Sequence, residues 1–398
     1  MRILVLNCGS STLKFQLIET DPASGSTERK LAGGLVDRIG GNAAYRFAGA
    51  GHDAAESTVA IDDHDQAVRA VIEWLDSVAA LRRPDAVGHR VVHGGDRFIG
   101  PALIDDGVVA ALAALCELAP LHNPGALSGI RAARKILGDS VPMVAVFDTS
   151  FHHTIPDAAA IYAIPYELSE KHKIRRYGFH GLAHQYDGAR YAELAGKPAA
   201  EVNAVTLHLG NGCSASAIRG GRSVDTSMGF TPLEGLVMGT RSGDLDPALV
   251  SYLARKEHVD AAEVERWLNQ RSGLLGLSGL SSDMRELIAA YEANPRARLA
   301  VDVFCHRARK YLGACLAVAG GAEAVIFSGG IGENAPFIRE KICRGMEWCG
   351  LKLDCALNAT VLGRDGSISA AASAIKIFVI HTDEETIIAR ETARAIGS

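Results

Sequence analysis

The sequence predicts an α/β protein in which one architecture is built twice. Short apolar strands alternate with amphipathic helical segments along the 398 residues. A strand–glycine turn–strand hairpin occurs at Leu4–Ile18 and again at Ala204–Ile218, about half a chain apart, which signals an internal duplication. Glycine-rich turns adjoin apolar strands at Asn7–Thr12, Gly210–Ser214 and Gly329–Asn334.

Each element has a local reason. Leu4–Leu6 reads as a buried strand, and Leu13–Ile18 returns after the glycine-serine turn. Residues 20–30 are polar with Pro and Gly, as in a surface loop. Asp62–Leu81 predicts a helix, with Val68, Val71, Ile72, Leu75 and Val78 on one face. Asn123 followed by Pro124 predicts a helix start with Asn123 as its cap. Pro142–Phe147 is a strand ending at Asp148-Thr149-Ser150. In the second half, Ala204–Leu209, Ser214–Ile218 and Ala324–Phe327 are strands, and Pro336 sits in the first turn of a helix. The chain closes with strand Lys376–Ile380 and helix Glu384–Ile396. Thr382 and Glu385 there have capping-box spacing, which gives Glu385 a structural role and leaves Glu384 as the candidate metal ligand.

Composition narrows the function classes. Apolar residues at 48% and charged residues at 22% fit a globular chain with a sizeable core. A net charge of −5 supplies no steering toward nucleic acid or anionic lipid, and Lys171, Lys173, Arg175 and Arg176 read as a short solvated run. No secretory leader and no apolar run of membrane-spanning length is visible, so the expected compartment is the cytoplasm. The eight cysteines include no C-x-x-C pair, and Cys343, Cys349 and Cys355 lack nearby histidines, so reduced thiols are expected rather than zinc.

The glycine turns point to nucleotide. Glycine lets the backbone approach an anion closely, and successive N–H groups then cradle phosphate oxygens. Familiar alternatives fail on spacing: Gly196-Lys197 lacks the upstream glycine of a P-loop, no Rossmann fingerprint has an acidic ribose partner, and protein-kinase signatures are missing. Arginines and histidines cluster beside glycines or in turns at His89–Gly95, Leu121–Pro124, Tyr177–Gly181 and Met238–Gly243. An arginine so placed is free to present its planar fork to carboxylate or phosphoryl oxygens. His89/His93 and His180/His184 have i,i+4 spacing, but the first pair falls on a strand and the second lacks an intervening glutamate, which argues against zinc. Asp148 stands at the carboxyl end of a buried strand, where open α/β sheets place ligands.

Taken in order, Asn7–Lys14, His89–Gly95, Pro120–Pro124, Phe147–Thr149, Arg176–Gly181, Asp225–Gly243, Ser281–Arg285, Gly329–Asn334 and Thr382–Glu385 resemble the acetate kinase (acetokinase) family nearly end to end. The resemblance implies the actin-like ATPase superfamily: two duplicated ribonuclease-H-like domains around a central cleft, residues 1–150 with 384–398 and residues 151–383. It implies Mg-dependent, reversible transfer of the ATP γ-phosphoryl group to acetate, giving acetyl phosphate and ADP, by a homodimer; Mn is the expected substitute metal. By the same resemblance Arg90, Arg241, His180, His122 and Asp148 are catalytic, and Arg90, Val92, Leu121, Phe179 and Pro232 bind the acyl substrate. Lys14, His208, Leu209, Gly210, Asn211, Gly212, Asp283, Met284, Arg285, Gly330, Ile331, Gly332, Glu333 and Asn334 contact ATP, while Asn7 and Glu384 lie at the metal. The chain departs from the family pattern at Leu182 and Ala183, which replace two hydroxyl residues, and at Asp383, which adds a negative charge beside the metal position.

Acetate is ionised at neutral pH, so the nucleophile needs no deprotonation, and Asp148 is expected to position Mg or its water shell rather than act as a base. Two rivals remain. A propionate or butyrate kinase of the same superfamily differs by pocket volume, and Val92 favours the smaller acid. A non-catalytic actin-like nucleotide sensor predicts loss of a charged site residue, and none is lost.

Overall fold

The computed structural model describes residues 1–20, 28–49, 52–78, 81, 83–120 and 122–397. The chain forms two compact units, Met1–Phe151 with Asp383–Ser398, and His152–Thr382.

The first unit is built on a mixed sheet. Strands β1 (Arg2–Cys8), β2 (Thr12–Glu19), β3 (Arg29–Asp37), β4 (Gly41–Gly49) and β5 (His52–Ile61) form an antiparallel meander. On the other side of β1 lie the parallel strands β6 (Ala86–Val91) and β8 (Met143–Phe147), with the short β7 (Ala102–Leu103) at the edge, in the order β5-β4-β3-β2-β1-β6-β8-β7. The central strand is covered on both faces, so Ile3, Leu4, Val5 and Leu6 are all buried and the strand reads as an unbroken apolar run. Helix His64–Ser77 is capped by Asp63, whose side chain accepts from Gln66 N–H, and buries Val68, Val71, Ile72 and Leu75. The C-terminal helix Glu384–Gly397 packs on β1, β6 and β8. It lies close because β6 offers a glycine: a Cβ at Gly88 would overlap the Thr392 hydroxyl and sit 2.8 Å from Ile388 Cγ2.

The second unit repeats the plan. Strands β9 (Ala204–Leu209), β10 (Cys213–Arg219) and β11 (Arg222–Thr226) are antiparallel, and β12 (Ala324–Ser328) and β14 (Lys376–Val379) run parallel to β9, with β13 (Gly366–Ser367) at the edge. Both sheets therefore hold an antiparallel meander, of five strands in the first and three in the second, followed by two strands parallel to its first member, which is the duplication read from the two hairpins. The hairpins differ in their turns: Cys8 pairs with Leu13 across the first, leaving four residues in the turn, and Leu209 with Cys213 across the second, leaving three. Helix Pro295–Ala319 packs on β9, β10 and β11, its N-terminus capped by the Asn294 side chain and its C-terminus by Gly320 in the left-handed conformation.

Several local expectations are corrected. The first amphipathic helix ends at Ser77 rather than Leu81. Of the loop placed at 20–30, residues 21–27 lie outside the described residues, and Arg29 and Lys30 already belong to β3. Strands β3 to β5 carry small, polar and charged residues whose alternation is too weak to register by pattern. Asn123 is the first helical residue, with His122 as cap, and its amide spans to the next segment, accepting from His93 N–H (3.1 Å) and donating to His93 C=O (3.0 Å). The capping box at the last helix does not form: Asp383 receives the Thr386 N–H and hydroxyl, Thr382 turns to Asp187, and Glu385 pairs with Lys14 at 2.6 Å. Gly329–Asn334 is a short helix following β12 rather than an open turn, and a second helix restarts at Pro336. Among the described residues no helix is long and apolar enough to cross a membrane.

Candidate active site

In the first unit, β6 and β8 are adjacent and parallel, with Arg90 the register partner of Val146, so Asp148, two residues beyond Val146, emerges within reach of Arg90. Arg90 donates through Nε and Nη2 to both oxygens of Asp148, at 2.9 and 2.7 Å, and its Nη1 stands 3.3 Å from Glu384 Oε2. Asp148 is buried, which pushes its carboxyl above the ordinary aspartate value against the pull of the guanidinium. Burial disfavours the Arg90 charge, yet Asp148 and Glu384 outweigh it and hold the guanidinium protonated. The bidentate geometry gives Asp148 a direct task, fixing the plane of the Arg90 fork. Lys14, expected at nucleotide, is held by Glu385. Asp383 does not add a bare negative charge: it pairs with Lys30 at 2.8 Å, and that ammonium and Thr386 keep its carboxyl below the usual range despite burial. Asn7, Asp148 and Glu384 are hard oxygen donors, the type that magnesium accepts alongside substrate phosphates. Val92 is partly buried just beyond β6, His122 caps helix Asn123–Leu137, and Leu121 lies outside the described residues.

In the second unit the turn Gly210–Gly212 gathers two expected catalytic groups. A Cβ at Gly212 would lie 3.2 Å from His180 Cε1 and 3.7 Å from Arg241 Nη1, so glycine lets both side chains lie against the backbone. His180 caps helix Gly181–Ala195 in the left-handed conformation (φ 55°), an uncommon state for a residue other than glycine. Its Nδ1 is 2.9 Å from the Ser214 hydroxyl, which also reaches His184 Nε2 at 2.8 Å. Leu182 and Ala183, where the family pattern has hydroxyls, are fully buried. Arg241 is anchored by donation to Pro232 C=O (3.1 Å) and contact with Met238 Sδ (3.5 Å). Among the described residues no carboxylate pairs with Arg241, and burial lowers its pKa. A half-buried guanidinium without a counter-ion is a ready acceptor for an anion.

Beside this turn opens a cavity of about 640 Å³, lined by Gly210, Asn211, Ser282, Asp283, Met284, Arg285, Ile288, Gly330, Ile331, Asn334, Ala335, Pro336 and Phe337. Its apolar surfaces suit a flat heterocycle, and Gly210 and Asn211 lie at its glycine turn. Most expected ATP residues line it. Glu333 does not: its buried carboxylate accepts from Thr382 N–H and faces His381 Nδ1 at 2.6 Å. His208, Leu209, Gly212 and Gly332 are not among the lining residues; they lie on or beside β9 and in the helix Gly329–Asn334, with His208 and Gly212 partly exposed.

Sequence reasoning missed the supports. Arg339, completely buried, donates to Gly332 C=O and Glu333 C=O (2.9 Å each), Asn358 Oδ1 and C=O, and Val361 C=O, pinning the cavity's helical wall. Arg176 belongs to no solvated run. It donates to the carbonyls of Thr226, Ser227 and Met228 and to Glu234 at 2.7 Å, bracing the segment that leads to Pro232 and Arg241. No short-range pattern marks either one, because their acceptors are largely main-chain carbonyls, which carry no residue signature.

The acetokinase family model matches residues 2–390. The chain belongs to the acetokinase family. It is 50% identical over 413 residues to acetate kinase of Chloroherpeton thalassium, covering all of this chain and 99% of the relative, and 51% identical to that of Solibacter usitatus, covering 100% and 98%. Its structure is similar to the crystal structure of Porphyromonas gingivalis acetate kinase (TM-score 0.92, 39% identity, 99% of each chain) and to that of a propionate kinase from Francisella tularensis (TM-score 0.91, 39% identity, 99% of each chain). The fold is accordingly the duplicated actin-like ATPase fold, one copy in each unit.

Proposed function

We propose that this member of the family is an acetate kinase, transferring the γ-phosphoryl group of ATP reversibly to the acetate carboxylate. The observation that carries the reading is Arg241: a cation with which no carboxylate among the described residues pairs, beside His180, over a glycine turn that continues into a nucleotide-sized cavity. Carboxylate oxygen attacks phosphorus in line; the new C–O–P link forms as the bond to the ADP oxygen breaks, and ADP leaves with that electron pair. Acetate arrives ionised, so no base is required. The difficulty is bringing one anion onto another, and Arg241 and His180 offset it by donating to the equatorial oxygens of the phosphoryl group in flight. Arg90, with its fork held by Asp148, is assigned to the carboxylate and the phosphoryl group, and His122 is a further catalytic candidate. Mg would be held by Asn7 and Glu384, with Asp148 nearby, and would neutralise phosphate charge when bound. Val92, Leu121, Phe179 and Pro232 are assigned to the acyl group, and the cavity residues, His208 and Lys14 to ATP. A homodimer in the cytoplasm completes the reading; all eight cysteines are free thiols, as that compartment favours.

The similarity to a propionate kinase at equal identity keeps the longer acid as the second reading. A hydroxamate assay across acetate, propionate and butyrate, with and without Mg, separates them. The highest kcat/KM is expected with acetate and only with metal. Preference for propionate or butyrate overturns the acetate assignment, and no phosphorylation of any acid overturns the kinase.

A further inference from the structure

His208 and Ser328 are register partners on the adjacent parallel strands β9 and β12, so their side chains emerge side by side. His208 Nδ1 is 3.1 Å from Ser328 Oγ, and the Ser328 hydroxyl donates to Asp187 Oδ2 at 2.5 Å. Asp187, from helix Gly181–Ala195, is completely buried, and its other oxygen accepts the Thr382 hydroxyl at 2.8 Å. A carboxylate can only accept, so both hydroxyls must point their protons at it. Ser328 has one proton, and Asp187 takes it; toward His208 the serine oxygen is therefore an acceptor.

We propose that Asp187 and Ser328 are positioning residues that hold His208 as its Nδ1–H tautomer, so that His208 meets nucleotide phosphate as an imidazolium. This rests on the assignment of His208 to the ATP site. With Nδ1–H committed to Ser328, the neutral ring has at Nε2 only a lone pair, which repels a phosphate oxygen. A second proton turns Nε2 into a charged donor, and the Asp187 charge, one hydroxyl away, stabilises that form. Among the groups facing the ring are His180 and His184, with ring centres 4.9 and 6.4 Å away, and Asp187 stands behind Ser328. His184 is kept neutral by burial, so it adds no competing charge. Nucleotide binding then takes up a proton at His208, and the proton arrives from solvent.

The test has two arms. Histidine-labelled protein without nucleotide is examined by ¹⁵N–¹H correlation at pH 8, with His208 assigned from His208→Gln. The expected wild-type signal is the Nδ1–H tautomer, lost to a mixture in Ser328→Ala. An Nε2–H tautomer in the wild type overturns the proposal, and this arm stands or falls independently of any kinase activity. In the second arm Ser328→Ala raises KM for ATP about tenfold or more, the scale of one charge-assisted hydrogen bond, and steepens its rise with pH. KM for acetate stays within about twofold. Equal rises in both KM values, or no change in KM for ATP, overturn the role. Asp187→Asn, whose amide can donate back to Ser328, repeats the tautomer test should Ser328→Ala fail to fold.

Discussion

Arg90 and Arg241 carry the same side chain in opposite electrostatic settings. Arg90 is locked bidentately by a buried aspartate, whereas Arg241 is held by a carbonyl and a thioether, with no carboxylate partner among the described residues. Their alanine variants should therefore differ. Arg241→Ala is expected to lower kcat by orders of magnitude with an unchanged denaturation midpoint. Arg90→Ala should lower turnover as well, and also destabilise the fold by roughly 3–5 kcal/mol, because it strands the Asp148 charge in a buried site. Steady-state rates and urea denaturation of both variants check this; near-normal turnover of Arg241→Ala would sink its assignment. Lysine should rescue either poorly, since a point charge lacks the fork. A second expectation concerns Val92. Trimming it should improve propionate relative to acetate by up to roughly tenfold to a hundredfold in kcat/KM, mainly through KM. An unchanged ratio in Val92→Ala would remove Val92 from the acyl pocket.

At the scale of elements, position depends on a few close approaches. The C-terminal helix brings Glu384 to Arg90 because Gly88 lets it lie on β6. Gly88→Ala is expected to destabilise the protein by roughly 1–3 kcal/mol through overpacking against Ile388 and Thr392, and to lower kcat by shifting Glu384. Urea midpoints and rates measured together test it, and a fully stable, fully active variant refutes the helix-positioning account. The sequence announced the apolar strands and both hairpins because buried strands are continuous apolar runs bounded by glycine. It did not announce β3 to β5, which are largely small and polar residues, nor the cap of the last helix. There Thr382 and Asp383 both carry capping oxygens, and Asp187, far away in sequence, claimed the threonine.

For the molecule as a whole, burial of neutral histidines makes stability depend on pH. Burial depresses His89 to about 3 and His93 and His152 to about 4, and lowers His184 well below its ordinary value. Above pH 6.5 neither folded nor unfolded chain binds these protons. As pH falls below 6.5 the unfolded chain takes them up and the native state refuses, so stability falls, by up to about 1.4 kcal/mol per pH unit for each histidine. Asp148, raised by burial, protonates first in the native state and offsets part of that slope at the acid end. Urea midpoints should therefore drop steadily between pH 7 and pH 5; a flat profile would contradict the neutral burial of these rings.

The sequence by itself determined the α/β class, the duplication and the segments that carry the chemistry. Strand periodicity, glycine turns and motif order are local properties, and each is written in consecutive residues. What each charged group does there was decided by tertiary structure. Asp148 is committed to Arg90, Lys14 to Glu385 and Glu333 to His381, whereas Arg241 has no carboxylate partner among the described residues. Ser328 stands against His208 and Asp187 only because two parallel strands and a helix place them so. A hydrogen bond or ion pair forms between whichever groups the fold brings within about 3 Å, and that distance is a property of strand register and helix packing rather than of spacing along the chain.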